Sequence, residues 1–249
     1  MNELIKNNLK FLIFLAIFGL VGGYFLALYS VETLSQDMIE EVISQVGSLD
    51  ILIIITTLQS LGYALIFGFI GKILSKKIGL WGNVSFNKKG NVEMILVSLF
   101  GGAAFILLDV LIFGRFSEVI YDSYATKPSL EYIIASVTYG AVIEEVMLRL
   151  FFMSFIAFII KKIAKKESIS NMILIIANII AAILFAAGHL PATIATIGIT
   201  PMILIRCFVM NGGFGLLFGR LYRRYGIHYA MLAHGGMHIV SKLIWILFI

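Results

Sequence analysis

Seven long apolar runs leave this chain little choice but a bundle of membrane-spanning helices. They are Leu9–Tyr29, Leu49–Gly71, Val92–Gly114, Leu130–Ile160, Asn171–His189, Pro201–Gly219 and His228–Ile249. Each approaches or exceeds the roughly 20 predominantly apolar residues with which a helix crosses the hydrocarbon core. No water is available there for unpaired backbone groups, so a spanning run satisfies its own N–H and C=O groups by coiling into a helix. The chain is 60% hydrophobic and only 13% charged, with a mean hydropathy of +1.01. Soluble domains are typically about 45–50% apolar and 25% charged. The expected architecture is an all-α, polytopic membrane helix bundle forming one integral membrane domain over residues 1–249. It has seven transmembrane helices, or eight if Leu190–Thr200 makes an extra half-span.

Charge is distributed by topology. Lys6 and Lys10 precede the first run, whereas Val31–Ser48 carries Glu32, Asp37, Glu40 and Glu41 without a basic residue. The loop after the second run holds Lys72, Lys76, Lys77, Lys88 and Lys89, the loop after the fourth holds Lys161, Lys162, Lys165 and Lys166, and Arg220, Arg223 and Arg224 follow the sixth. Basic and non-basic loops alternate, which by the positive-inside rule sets the N-terminus in the cytoplasm and the C-terminus outside. The net charge of +5 comes from these short loops, so it indicates orientation and not a nucleic-acid surface. The first run is long and lacks a clear small-residue cleavage site, unlike a signal peptide. Ile78–Gly90, with Trp81 and a lysine pair at its end, reads equally as an interfacial helix or an ordinary loop. The single Cys207, inside an apolar run, excludes an internal disulfide and a cysteine-based metal cluster. The Ile-, Lys- and Asn-rich composition resembles that of a low-GC bacterial cell-membrane protein.

Charged and histidine side chains within the runs cluster in the second half of the chain. Glu144, Glu145 and Arg149 are followed by His189, Arg206, His234 and His238, with Asp109 and Lys242 as outliers. A charge at the bilayer centre costs about 2.5 kcal/mol or more, so such residues face a protected cavity and mark a functional site by default. Glu145 and Arg149 are spaced to pair on one helix face, while Glu144 points about 100° away. One arginine compensates one carboxylate, so the other must be protonated, solvated or paired with histidine. A helical hairpin turning near residue 167 would bring Glu144 and His189 to one level, as a general acid/base pair requires. His234-Gly-Gly-Met-His238 sets two imidazoles on a common face. Because His234 lies so close to the turn at Gly226, meeting Glu144 would require the fourth–fifth hairpin to protrude, or helices to tilt or break.

Three elements now stand in order: Glu144-Glu145-Val-Met-Leu-Arg149, Phe185-Ala-Ala-Gly-His189 and His234-Gly-Gly-Met-His238. The series resembles the EExxxR, FxxxH and HxxxN/B motifs of the CAAX-protease and bacteriocin-processing family (Abi, type II CAAX protease) of intramembrane proteases, over a core of about 130–240. The resemblance implies that Glu144 is the catalytic carboxylate and His189 its partner in activating water. It further implies that His234 stabilises the oxyanion, assisted by His238, and that Glu145 and Arg149 orient or support. His238 departs from the family pattern, in which the best-known members carry asparagine. Histidine also donates a hydrogen bond but can titrate or ligate metal.

The residues agree on reaction type. No serine–histidine–carboxylate set and no thiol sits with the cluster, which argues against an acyl-enzyme. A glutamate, three histidines and an arginine suit attack of activated water on an amide, with donors aimed at the oxyanion. The favoured reading needs no cofactor. With Zn²⁺ on His189, His234 and His238, the same site would perform metal-assisted hydrolysis with Glu144 as base. The expected partners are the lipid bilayer and a peptide substrate, either a small peptide precursor or the tail of a membrane protein. The alternatives are a bacteriocin-immunity or scaffold protein of the same fold that does not cleave, and a proton-coupled transporter.

Overall fold

The computed structural model describes residues 9–249, so Lys6 lies outside the described residues. Nine helices follow one another: α1 (Leu9–Glu32), α2 (Gln36–Val46), α3 (Leu49–Lys77), α4 (Lys88–Leu111), α5 (Glu118–Ser123), α6 (130–163), α7 (Asn171–Ile197), α8 (Pro201–Tyr225) and α9 (Ile227–Phe248). Six of the seven long helices are long and apolar enough to cross a membrane by length and composition; α6, which carries the acidic pair, is the seventh. The protein is an integral membrane helix bundle, and no strand occurs among the described residues.

Helix starts are written into the sequence. Ser48, Asn87, Ser129, Ser170 and Thr200 each accept a hydrogen bond from the backbone N–H three residues on, at the heads of α3, α4, α6, α7 and α8. These side chains supply acceptors for helix-end donors that have no partner within the helix. Gly226, at φ 107°, ends α8 and opens α9 in a backbone conformation that L side chains rarely adopt.

Two of the loops differ from expectation. The helix after Asn171 does not stop at His189 but continues through Pro191 to Ile197, leaving only Gly198–Thr200 before α8. Leu190–Thr200 is therefore no eighth pass. Val31–Ser48 holds α2, a short amphipathic helix with none of its residues buried. Residues 78–87 contain no helix, so the loop reading of that segment holds.

The outer helices present Ile13, Ile17, Leu58, Ile66, Leu99, Ile183 and Leu243 outward, as expected where the surroundings are hydrocarbon. α6 is the opposite case. It packs against α1, α3, α7 and α9 and buries Val142, Ile143, Val146, Leu150 and Met153. This central position is what allows it to hold charge. Its middle winds with π geometry, from Ser136 to Glu144 and again from Val146 to Met153, a rare form that concentrates at functional sites. Small residues let its neighbours approach: a Cβ on Gly22 of α1 would lie 2.8 Å from the Tyr139 amide nitrogen of α6.

Contacts between α6 and its neighbours fix the register. Ser154 of α6 hydrogen-bonds the Tyr222 hydroxyl of α8 at 2.8 Å, and Tyr222 bonds Ser75 of α3 at 2.8 Å. Tyr222 lies one turn before Gly226, whereas Ser154 is more than ten residues from the α6–α7 turn. The α6–α7 hairpin therefore protrudes by about 15 Å beyond the α8–α9 turn, which removes the apparent mismatch between Glu144 and His234. Tyr222→Phe would leave two buried serine hydroxyls short of a partner. We expect it to lower stability by about 1–3 kcal/mol, measured by denaturant unfolding in detergent micelles.

The opposite end is closed by Asp109, buried in α4. Arg206 of α8 clasps it with Nε at 2.5 Å and Nη2 at 2.6 Å, and the Tyr124 hydroxyl donates to it at 2.7 Å. Burial, and then the Asp109 charge, push the Tyr124 phenol pKa up, so it remains a donor. Arg206 is thus the cation that compensates Asp109. Asn211 donates to the Cys207 carbonyl at 3.0 Å within a π turn of α8, satisfying backbone.

Candidate active site

The two adjacent glutamates of α6 face different neighbours. Glu145 is fully buried against α9, where its Oε1 accepts from His234 Nδ1 at 2.9 Å and lies 3.1 Å from Arg149 Nη1. Glu144 is 19% exposed and turns toward α7, with Oε1 3.8 Å from His189 Nε2, itself on a side chain 35% exposed. The hairpin register explains the second pair. Arg149 lies 4.6 Å from the Phe185 ring centroid, one turn along from the Glu144–His189 level on both helices, so the two arms are matched about a midpoint near residue 167.

His189 has a defined tautomer. Its Nδ1 is 2.8 Å from the Phe185 carbonyl, and a carbonyl only accepts, so Nδ1 carries the proton. The other nitrogen, Nε2, is the one that faces Glu144. The 3.8 Å separation is too long for a direct hydrogen bond and short enough for one small molecule to touch both groups.

Across from this pair, His234 and His238 of α9 stack at 4.9 Å between centroids with their Nε2 atoms 3.1 Å apart. Phe218 of α8 stacks on the His234 ring at 4.4 Å. Lys242, one turn past His238, sets its ammonium 3.5 Å from His238 Nδ1 and 4.0 Å from the Tyr132 ring centroid. Gly140 joins the two halves of the site. A Cβ there would lie 3.6 Å from His238 Nε2 and 4.0 Å from Glu144 Oε2, so the space over this glycine is shared by both groups.

Residues 126–240 match the family model described as Type II CAAX prenyl endopeptidase Rce1-like. Over that segment, the chain is similar to the Rce1-like CAAX protease family. Neither the curated proteins nor the solved structures give a match. The Rce1-like segment holds Glu144, Glu145, Arg149, His189, His234 and His238, and excludes Asp109 and Lys242.

All six side chains picked from the sequence therefore gather around the middle of α6, in two connected groups. Among the described residues, no three His, Cys, Asp or Glu side chains are disposed to hold a metal ion. His189 is turned to Glu144 and the Phe185 carbonyl, while His234 is engaged by Glu145 and His238. Sequence reasoning passed over Gly140 and Phe218 and left Lys242 as an outlier. Gly140 had one available signal, a missing side chain one turn before Glu144. For Phe218 there was none, since an apolar residue in an apolar helix looks like any other.

Proposed function

We propose that this membrane-embedded Rce1-like protein is an endopeptidase in which Glu144 and His189 activate water for attack on a peptide bond. The observation that carries the reading is the 3.8 Å separation of Glu144 Oε1 and His189 Nε2, both reachable from outside the core. A water held between them can pass its proton to the carboxylate as its oxygen attacks the carbonyl carbon. Glu144 then returns the proton to the leaving amine. His234 and His238, on the other side of the Gly140 space, stabilise the oxyanion. Glu145 and Arg149 orient His234 and take no proton from substrate. The reading requires no metal, because carboxylate, imidazole and donors already fill the roles of base and electrophile.

The substrate is a small peptide precursor or the tail of a membrane protein, which reaches the site from within the bilayer. The alternating charged loops support a cytoplasmic N-terminus, and the Ile-, Lys- and Asn-rich composition supports a bacterial cell membrane. Gly140 gives a test of the binding space. Gly140→Leu would force a branched side chain between Glu144 and His238, at about 1–3 kcal/mol, or roughly 10–100-fold in kcat/KM. Gly140→Ala meets only ordinary contact distances and should be mild by comparison.

The deciding experiment is digestion of a peptide library by the purified protein in detergent, with and without a strong zinc chelator. Cleavage that survives chelation supports the glutamate reading, and cleavage that chelation abolishes moves His189, His234 and His238 to metal ligands. A folded protein that cleaves nothing points to an immunity or scaffold role. Proton-coupled flux in liposomes without a cleavage product would indicate a transporter.

A further inference from the structure

A second cavity, of about 230 Å³, lies at the basic end of the bundle, and none of the residues of the hydrolytic reading lines it. Its walls include Trp81, Gly82 and Asn83 of the α3–α4 loop, Arg223 and Arg224 of α8, and His228 of α9. We propose that this cavity binds one phosphodiester, supplied by the headgroup of an anionic phospholipid.

The charge around the cavity is unbalanced. Two guanidiniums line it, and no Asp or Glu does. The carboxylate beside it, Glu93 of α4, is already engaged elsewhere. Its Oε1 accepts from Arg220 Nε at 2.5 Å and its Oε2 from the Tyr225 hydroxyl at 2.8 Å, while Arg224 Nη1 stands off at 3.8 Å. Arg223 donates from Nη1 to the neutral Asn171 side chain, its buried Nε–H has no partner, and it makes no ion pair among the described residues. Guanidinium forks match the oxygens of a phosphate in spacing and charge. The backbone adds to the same field. Gly226 has no side chain with which to cap α9, and Ile227 and His228, whose N–H groups open that 22-residue helix, line the cavity. Unpaired N–H groups at a helix head favour an anion.

Depth selects a lipid as the source. At 1.5 Å per residue α9 is about 33 Å long, little more than the hydrocarbon core it crosses. Its head therefore sits at the hydrocarbon boundary, level with lipid phosphates, while the α6–α7 hairpin protrudes beyond. Trp81 marks the same level, as aromatic rings do at membrane interfaces. Its ring meets Phe11 edge-on at 5.1 Å and lies 4.8 Å from the Lys72 ammonium. The loop wall is fixed in place. The Asn87 N–H donates to the buried Tyr229 hydroxyl at 2.8 Å, His228 Nε2–H donates to the Ser85 carbonyl at 2.9 Å, and Phe86 packs edge-on against the His228 ring. The cavity is thus a built recess at headgroup depth, with positive charge left over.

Saturation binding of tritiated dioctanoyl phosphatidylglycerol to the full chain in dodecyl maltoside tests this, independently of peptide cleavage. One saturable site per chain is expected. Unlabelled dioctanoyl phosphatidylcholine, whose trimethylammonium cancels the phosphate charge, should compete at least about 10-fold more weakly. The double variant Arg223→Gln, Arg224→Gln should lower affinity for phosphatidylglycerol roughly 10–30-fold, at about a tenfold or less per cation. Lys165→Gln, Lys166→Gln removes the same charge from exposed positions at the α6–α7 turn and should change affinity less than about twofold. Equal affinity for the two lipids, or equal losses in the two double variants, would overturn the proposal in favour of diffuse attraction. Inorganic phosphate that competes as well as phosphatidylglycerol would overturn the lipid source. Should the arginine variant fail to fold, Gly82→Phe keeps every charge. A Cβ at Gly82 meets open space, so the ring can enter the cavity without displacing the fold. Binding undiminished by Gly82→Phe would equally refute the site.

Discussion

Replacing Glu144 by glutamine is expected to slow peptide hydrolysis about 10²–10⁴-fold while leaving the unfolding transition nearly unchanged. Glutamine matches glutamate in shape but cannot accept the proton of a water attacking a carbonyl. Glu144 has no ion pair with a buried cation; its charged-group neighbour is His189 Nε2 at 3.8 Å, and it is 19% exposed. Removing its charge therefore leaves nothing uncompensated in the core. Initial rates in detergent, beside a thermal melt of the same preparation, separate the two effects. Undiminished cleavage by Glu144→Gln would sink the assignment. His189→Ala should produce a loss of similar size, and the double variant little more, because residues that act as one unit are not additive.

The two adjacent glutamates are thus divided by environment. Both are carboxylates, and sequence alone gives them equal standing as acids or bases. Glu145 sits between Arg149 and His234 with 0% exposure, where a water or peptide cannot reach it. Glu144, one residue earlier, points toward a different helix and stays accessible. A helix advances about 100° per residue, so neighbours in the chain can serve a core network and an open site at once.

How much of this was legible in the sequence varies by element. The seven long helices followed from apolar length, though the short α2 and α5 did not, and the pairing of Glu144 with His189 followed from counting residues on either side of the α6–α7 turn. The Glu145–Arg149 contact followed from i, i+4 spacing. The depth of His234 relative to Glu144 did not follow, because the Ser154–Tyr222–Ser75 contacts that let α6–α7 protrude join residues far apart in the chain. The continuation of α7 through Pro191 was equally hidden. Proline ordinarily breaks a helix, but within a membrane bundle neighbouring groups tolerate the lost hydrogen bond. The winding of α6 in π geometry and the closure over Gly140 depend on packing by the surrounding helices, and no local pattern encodes them.

The largest effect on stability is expected at the buried pair. Glu145→Gln or Arg149→Met alone should cost about 3–5 kcal/mol, because each strands its partner's charge in the core. Arg149 is 1% exposed and Glu145 0%, and Arg149 Nη1, Arg149 Nη2 and Glu145 Oε2 have no hydrogen-bond partner of good geometry. What holds the guanidinium is the carboxylate at 3.1 Å together with the Phe185 and Phe218 rings, 4.6 and 5.6 Å from its carbon. Removing both charges removes the source of the penalty, so the double variant Glu145→Gln, Arg149→Met should be more stable than either single one. Denaturant unfolding of the four proteins in one detergent measures the coupling directly, and strictly additive losses would show that the pair does not act as a unit. Activity should not return with stability. Without the carboxylate of Glu145, His234 Nδ1 loses its partner at 2.9 Å, and the ring is no longer held in one orientation. A stable but slow double variant would therefore separate the pair's contribution to the fold from its contribution to the chemistry.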